Sequence, residues 1–150
     1  MKRLIAWIII LMLVIPAAFA DEETVLYTMS KNLQGRIRPG KKYESLVSFD
    51  IWTQLYPTGR LSDDRMWVEV RTIEGDLVWC SINYLTERID VIHVYTLWES
   101  GVKIRSRPGG GKVTGIARKE QVLEITNVVM GYGKCSKGWV ELDYFIEDYE

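Results

Sequence analysis

Gly138-Trp139-Val140-Glu141-Leu142-Asp143-Tyr144-Phe145 is the stretch on which the reading of this chain turns. Upstream stands a looser copy, Val78-Trp79-Cys80-Ser81-Ile82-Asn83-Tyr84-Leu85, with the tryptophan, the tyrosine and an apolar residue at the same offsets. An aromatic residue precedes each copy, Trp67 in one and Tyr132 in the other. A basic segment that ends in a turn lies earlier still, as Gly35-Arg36-Ile37-Arg38-Pro39-Gly40 and as Val102-Lys103-Ile104-Arg105-Ser106-Arg107-Pro108-Gly109. Four landmarks recurring in one order, at a period of about 60 residues, imply tandem duplication of a small unit. The expected organisation is a leader at 1–20, then one unit at 21–88 and a second at 89–150.

The leader stands apart from the rest. Lys2-Arg3 gives a positive start, Leu4 to Ile15 is an unbroken apolar run, Pro16 interrupts it, and Ala18-Phe19-Ala20 places small residues three and one before Asp21. These are the parts of a secretory signal peptide. The competing reading is a retained membrane anchor, against which stands the shortness of the run beside the ~20 apolar residues of a spanning helix. Contact with a membrane is expected only through this segment, if it is kept. Loss of Lys2 and Arg3 with it takes the formal net charge from -1 to -3. That balance excludes the clustered positive surplus on which nucleic-acid binding depends. The basic residues nevertheless crowd at matching places, Arg36, Arg38, Lys41 and Lys42 in the first unit and Lys103, Arg105, Arg107 and Lys112 in the second. A solvated loop explains such a cluster, and its recurrence leaves room for a loop that faces an anion.

Apolar content of 47% with six Trp and eight Tyr is enough to fill two small cores. Every periodic segment is short, and after the leader no stretch sustains a 3.6-residue apolar period, so the fold class is all-β. Strands are expected at Thr24 to Met29, Ser45 to Phe49, Trp52 to Leu55, Lys112 to Ala117 and Gln121 to Val129, with turns at Pro57-Thr58-Gly59 and Glu99-Ser100-Gly101. The best-defined element is a hairpin of Met66 to Thr72 and Leu77 to Tyr84 around Glu74-Gly75-Asp76. Alternation puts Val68, Val70, Val78, Cys80 and Ile82 on its core face, and puts Trp67 and Trp79 together on the other, under a neighbouring loop or as an open aromatic shelf. Ile89, Val91 and Ile92 make the connector between the units too apolar to swing free, so a rigid tandem is expected. Glu147, Asp148 and Glu150 read as a solvated acidic tail.

From about Val94 to Phe145 the second unit resembles a bacterial SH3-like (Src-homology-3-like) domain of exported cell-envelope proteins. The resemblance rests on Val102-Lys103-Ile104-Arg105-Ser106-Arg107-Pro108, on Tyr132-Gly133-Lys134, and on Gly138 through Tyr144. The first unit resembles the same family as a divergent member: it keeps Gly35-Arg36-Ile37-Arg38, Trp67-Val68-Glu69-Val70 and Trp79 to Leu85, but Val78 stands in place of the glycine before the tryptophan and no serine follows the arginine. The resemblance implies two small, strongly bent β-barrels in tandem. It also implies ligands of the cell envelope, often the peptide part of peptidoglycan. A groove between the long early loop and the final hairpins would have an aromatic wall of Trp67, Trp79 and Tyr84 in the first unit and Tyr132, Trp139 and Tyr144 in the second, with Arg105 at the loop and Arg36 as its equivalent. The same aromatics also serve simply to close a small barrel. The function expected is thus a non-enzymatic binding module for peptidoglycan or a related cell-wall ligand, secreted or held at the envelope. A subunit that binds another envelope protein is the alternative, since fold alone does not separate the two.

Enzymatic readings fail on their chemistry. Cys80 and His93 suggest a cysteine peptidase, but Cys80 falls on a core face and His93 in the connector, so the thiol has neither base nor cation. Two cysteines and one histidine fit no zinc spacing, and no cofactor is expected. Asp63-Asp64 sits in a polar loop where solvation accounts for both. Gly109-Gly110-Gly111 opens no helix and so makes no phosphate cradle. Cys80 and Cys135 read as small buried hydrophobes in separate cores, so two free thiols are expected rather than a disulfide.

Overall fold

The computed structural model describes residues 23–149, and within them the chain is all-β. The expected signal peptide lies outside the described residues. In the first half the strands are β1 (Leu26–Thr28), β2 (Leu33–Arg36), β3 (Ser45–Phe49), β4 (Gln54–Leu61), β5 (Trp67–Arg71), β6 (Leu77–Ser81) and, after a 3-10 turn at Ile82–Tyr84, β7 (Leu85–Thr86). In the second they are β8 (Ile92–Tyr95), β9 (Val102–Arg107), β10 (Gly110–Ala117), β11 (Leu123–Ile125), β12 (Asn127–Val129), β13 (Tyr132–Cys135), β14 (Gly138–Glu141) and, after a 3-10 turn at Leu142–Tyr144, β15 (Ile146–Asp148). Among the described residues no helix is long and apolar enough to cross a membrane.

The two halves repeat one topology. In the first, the order is β3-β2-β6-β5-β4-β1-β7, closing one bent sheet into a small barrel. The second has β10-β9-β14-β13-β12 with β11-β8-β15 completing the other side, so the long β4 of the first half is divided into β11 and β12 in the second. The registers match residue by residue. Arg36 lies opposite Trp79 as Arg105 lies opposite Trp139, and Trp67 opposite Ser81 as Tyr132 opposite Glu141. Arg36 and Arg105 are therefore equivalent, as the repeated motif implied.

One face of the β5–β6 hairpin fills the first core: Val68, Val70, Val78, Cys80 and Ile82 are fully or almost fully buried. Each such aliphatic side chain contributes about 1.5–3 kcal/mol on leaving water. Cys135, Val140, Ile104 and Ile125 lie in a second core, so the two cysteines are buried in different clusters and both are free. The first cluster extends beyond the first half to Val129 and Trp139, with Met130 and Tyr132 packed against it.

Several local readings change. Pro57-Thr58-Gly59 is not a turn but a bulge within β4, where the pairing to β5 slips between Pro57 and Leu61 and Gly59 takes φ 94°. A bulge is where a strand interior accepts a proline. Trp52, expected to begin a strand, instead occupies a left-handed turn position at φ 63° that Glu120 takes in the second half. The end of each final hairpin, Ile82–Tyr84 and Leu142–Tyr144, coils into a 3-10 turn rather than continuing as strand. Of the acidic tail, Glu147 and Asp148 are not free: β15 pairs with β8, and Glu147 accepts two bonds from Arg88 at 3.0 Å, while Glu150 lies outside the described residues.

Between the halves runs a polar seam. The Glu87 N–H donates to Val128 O at 2.7 Å, Val128 N–H donates to Thr86 Oγ1 at 3.1 Å, and Met130 N–H donates to Glu87 Oε1 at 2.9 Å. Buried Asn127 donates its amide to the carbonyls of Asn83 and Leu85, each at 3.1 Å. Shared apolar packing and satisfied buried polar groups hold the tandem as one body.

Candidate functional site

A groove of about 510 Å³ opens on the second half between the β8–β9 turn, the β9–β10 loop and the final hairpin. Its lining includes Arg105, Tyr132, Trp139 and Tyr144, so the four second-half residues expected to form a groove meet there, while Arg107 and Lys112 of the basic cluster do not line it. Trp98, Lys103 and Glu141 join them. Trp98 and Tyr144 meet edge to face, ring centroids 5.4 Å apart at 84°, and both stay largely exposed. Trp139 is almost wholly buried and forms the floor, with the Lys134 ammonium 5.9 Å from its ring centroid. Arg105 donates to Gly111 O at 3.3 Å, which ties it to the β9–β10 loop.

Why these residues converge follows from strand geometry. Side chains of one face alternate along β13 and β14, so the cross-strand pairs Tyr132–Glu141 and Lys134–Trp139 stand side by side. The 3-10 turn then swings Tyr144 out over that face. Gly138, at φ 145°, allows β14 to run against β9: a Cβ there would lie 2.3 Å from Arg105 O.

The first half holds a smaller counterpart of about 290 Å³, lined by Ser30, Leu33, Gln34, Arg36, Trp67 and Tyr84 among others. Arg36, Trp67 and Tyr84 take the places of Arg105, Tyr132 and Tyr144. Trp79 does not reach this cleft. It shares the outer face with Trp67, as alternation required, but Arg60 of β4 lies 5.5 Å over its ring and Glu69 anchors that arginine at 3.0 Å. The predicted covering loop is thus the bulged part of β4. Ser30, two residues past buried Thr28, stands where Trp98 follows buried Thr96, so this cleft lacks one aromatic wall. Arg36 donates to Tyr43 O at 2.7 Å, a loop carbonyl as Gly111 O is for Arg105.

Trp98 was missed because a tryptophan before Glu99-Ser100-Gly101 reads as the end of a strand. The available signal was its place beside a turn, where a bulky ring finds no core. Asp63 and Asp64 are both exposed in a turn, as expected, and Asp64 has local partners as well. The Ser62 hydroxyl donates to its carboxylate at 2.6 Å and Met66 N–H at 3.0 Å, and the Ser62 bond foremost holds the Asp64 carboxyl below its usual range. It braces the β4–β5 turn.

No family model matches the chain, and no curated protein matches it. Two of the solved structures that resemble it are as follows. One is described as the endolysin LysPBC5 CBD, 16% identical, with 85% of this chain and 96% of that chain covered at a TM-score of 0.35. The other is NlpC1 from Trichomonas vaginalis, 13% identical, with 85% of this chain matched to 46% of that chain at a TM-score of 0.34.

The groove sets aromatic side chains beside charged ones. Among the described residues no group of His, Cys, Asp and Glu could hold a metal. Cys80 is enclosed in the first core, where burial pushes its thiol up to about 12. His93 lies on β8, exposed beside Glu124 at 3.9 Å, in a different strand system.

Proposed function

We propose that this chain is a non-enzymatic, exported binding module of the bacterial cell envelope that recognises peptidoglycan or a related cell-wall ligand, its units being 21–88 and 89–150. The observation that carries the reading is the second-half groove. Trp98, Tyr132, Trp139 and Tyr144 give it apolar and π surfaces, and Lys103 and Arg105 outnumber its carboxylate, Glu141. A cleft of that size, with four aromatic residues beside three charged ones, suits an extended peptide carrying negative charge. The first-half cleft is smaller and has Ser30 where the second has Trp98, so the second half is the principal site.

Sedimentation with purified insoluble peptidoglycan tests this. Trp98→Ala and Tyr144→Ala are the variants of choice, because both side chains are exposed and neither closes a core. Retention of the unaltered chain, reduced by either substitution and by raised salt, is the expected result. No retention at low ionic strength refutes the reading and favours a protein partner.

A further inference from the structure

Arg65 belongs to the first half, yet its side chain lies against the second-half groove. It occupies the β4–β5 turn at φ 59°, a left-handed position that Met130 takes in the second half at φ 51°. The turn is tightly built: Arg65 N–H donates to Ser62 O at 2.9 Å, Asp64 accepts from Ser62 and Met66, and Trp67 N–H donates to Ser62 Oγ at 3.0 Å. From that base the guanidinium lies 5.5 Å from the centroid of the Tyr132 ring and donates through Nη2 to the Tyr132 hydroxyl at 3.1 Å. On its other side is Gly109, where an added Cβ would sit 3.0 Å from the Arg65 guanidinium carbon and 2.7 Å from the Tyr132 hydroxyl. Tyr132 and Gly109 are both groove-lining residues.

The guanidinium at this junction is underused. Arg65 Nε is buried without a hydrogen-bond partner, and among the described residues Arg65 forms no ion pair. The nearby Asp64 carboxylate is already occupied by Ser62 and Met66. An arginine carries five donors in a planar fork suited to carboxylates, and a stacked, partly desolvated one gains most from such a partner.

We propose that Arg65 completes the second-half groove as its anion-binding residue, so that the tandem forms one composite site for a carboxylate-bearing peptide. The proposal rests on the peptide-binding reading above and adds the ligand's charge and the part each half plays. Lys103 and Arg105 line one part of the groove while Arg65 lies against Gly109 and Tyr132 of its lining, and a peptide lying across the aromatic floor would bring a carboxylate to it. The seam between the halves then has a functional consequence, because it fixes Arg65 relative to Tyr132.

The test is titration calorimetry of the full two-repeat chain with soluble stem peptides released from peptidoglycan, compared with the same peptides after amidation of their carboxylates. Arg65→Ala is expected to weaken binding of the carboxylate form at least about tenfold, the effect of one charge-assisted bond, and to leave the amidated form nearly unchanged. Arg65→Lys, which keeps the charge and loses the fork, is expected to lie between. Unaltered affinity in Arg65→Ala overturns the proposal and leaves the peptide-binding reading intact. An equal loss for both peptide forms also overturns it, since it assigns Arg65 a purely structural part. Failure of the unaltered chain to bind either form overturns the proposal together with the functional reading.

Discussion

Replacing Asn127 by alanine puts the seam between the halves to the test. The Asn127 amide donates to Asn83 O and to Leu85 O, both at 3.1 Å, from a position only 4% exposed. A typical bond contributes ~1 kcal/mol net, and a buried carbonyl left without a donor costs ~1–3 kcal/mol. Two bonds lost with partial relaxation amount to about 2–4 kcal/mol, a large share of a stability of about 5–15 kcal/mol. Urea unfolding followed by tryptophan fluorescence measures it. With a slope of about 2 kcal/mol per molar urea, the midpoint falls by about 1–2 M. A midpoint within about 0.3 M of the unaltered chain would refute the argument that these bonds join the halves.

Cys80→Val is expected to cost less than about 1.5 kcal/mol, because Val140 already fills the equivalent place in the second core. The same variant tests a linkage: the buried Cys80 thiol, raised to about 12, stays protonated while the unfolded thiol ionises, so native stability falls as pH rises from about 9 to 12. That loss is smaller in Cys80→Val, and equal alkaline slopes would contradict it. Native protein should leave both thiols unreactive to a disulfide reagent until denatured, with an intact mass equal to the reduced value. Gly138→Val should prevent folding of the second barrel, read as loss of near-ultraviolet dichroism, since its Cβ would meet Arg105 O at 2.3 Å. Asp64→Asn is expected to weaken stem-peptide binding severalfold by slackening the turn under Arg65, and an unchanged affinity would show that the turn does not need its carboxylate.

The second-half groove was largely legible because its residues recur as a motif. Arg105, Tyr132, Trp139 and Tyr144 are brought together by strand alternation and a short hairpin, and both act over a few residues. Trp79 shows the limit of that logic. Its face was correctly read, but whether the face stays open depends on Arg60, nineteen positions earlier, and on a bulge in β4 that pairing alone creates. Trp98 was hidden for a similar reason: only closure of the barrel brings the β8–β9 turn over Tyr144.

From its sequence alone this chain is all-β, repeats one unit twice, keeps its cysteines in different cores and places its basic and aromatic residues at matching points. Those properties follow from period-2 alternation, turn residues and self-similarity, which are local and survive without coordinates. The replacement of glycine by Val78 was visible as a departure but not as an exchange. In the structure, Gly35 of the first half yields the room that Val78 takes, with a Cβ at Gly35 lying 2.8 Å from the Val78 side chain, while Ile104 stands at the position equivalent to Gly35 and Gly138 at that of Val78. Small and large residues have traded strands. Likewise, nothing around Arg65 in the sequence marks it as belonging to the other half's groove. Its partner Tyr132 is 67 residues away, and only the docking of two barrels along the Asn127 seam sets one against the other. Such contacts depend on how closed surfaces meet, and that is decided by packing volume and by the satisfaction of buried polar groups across the whole fold.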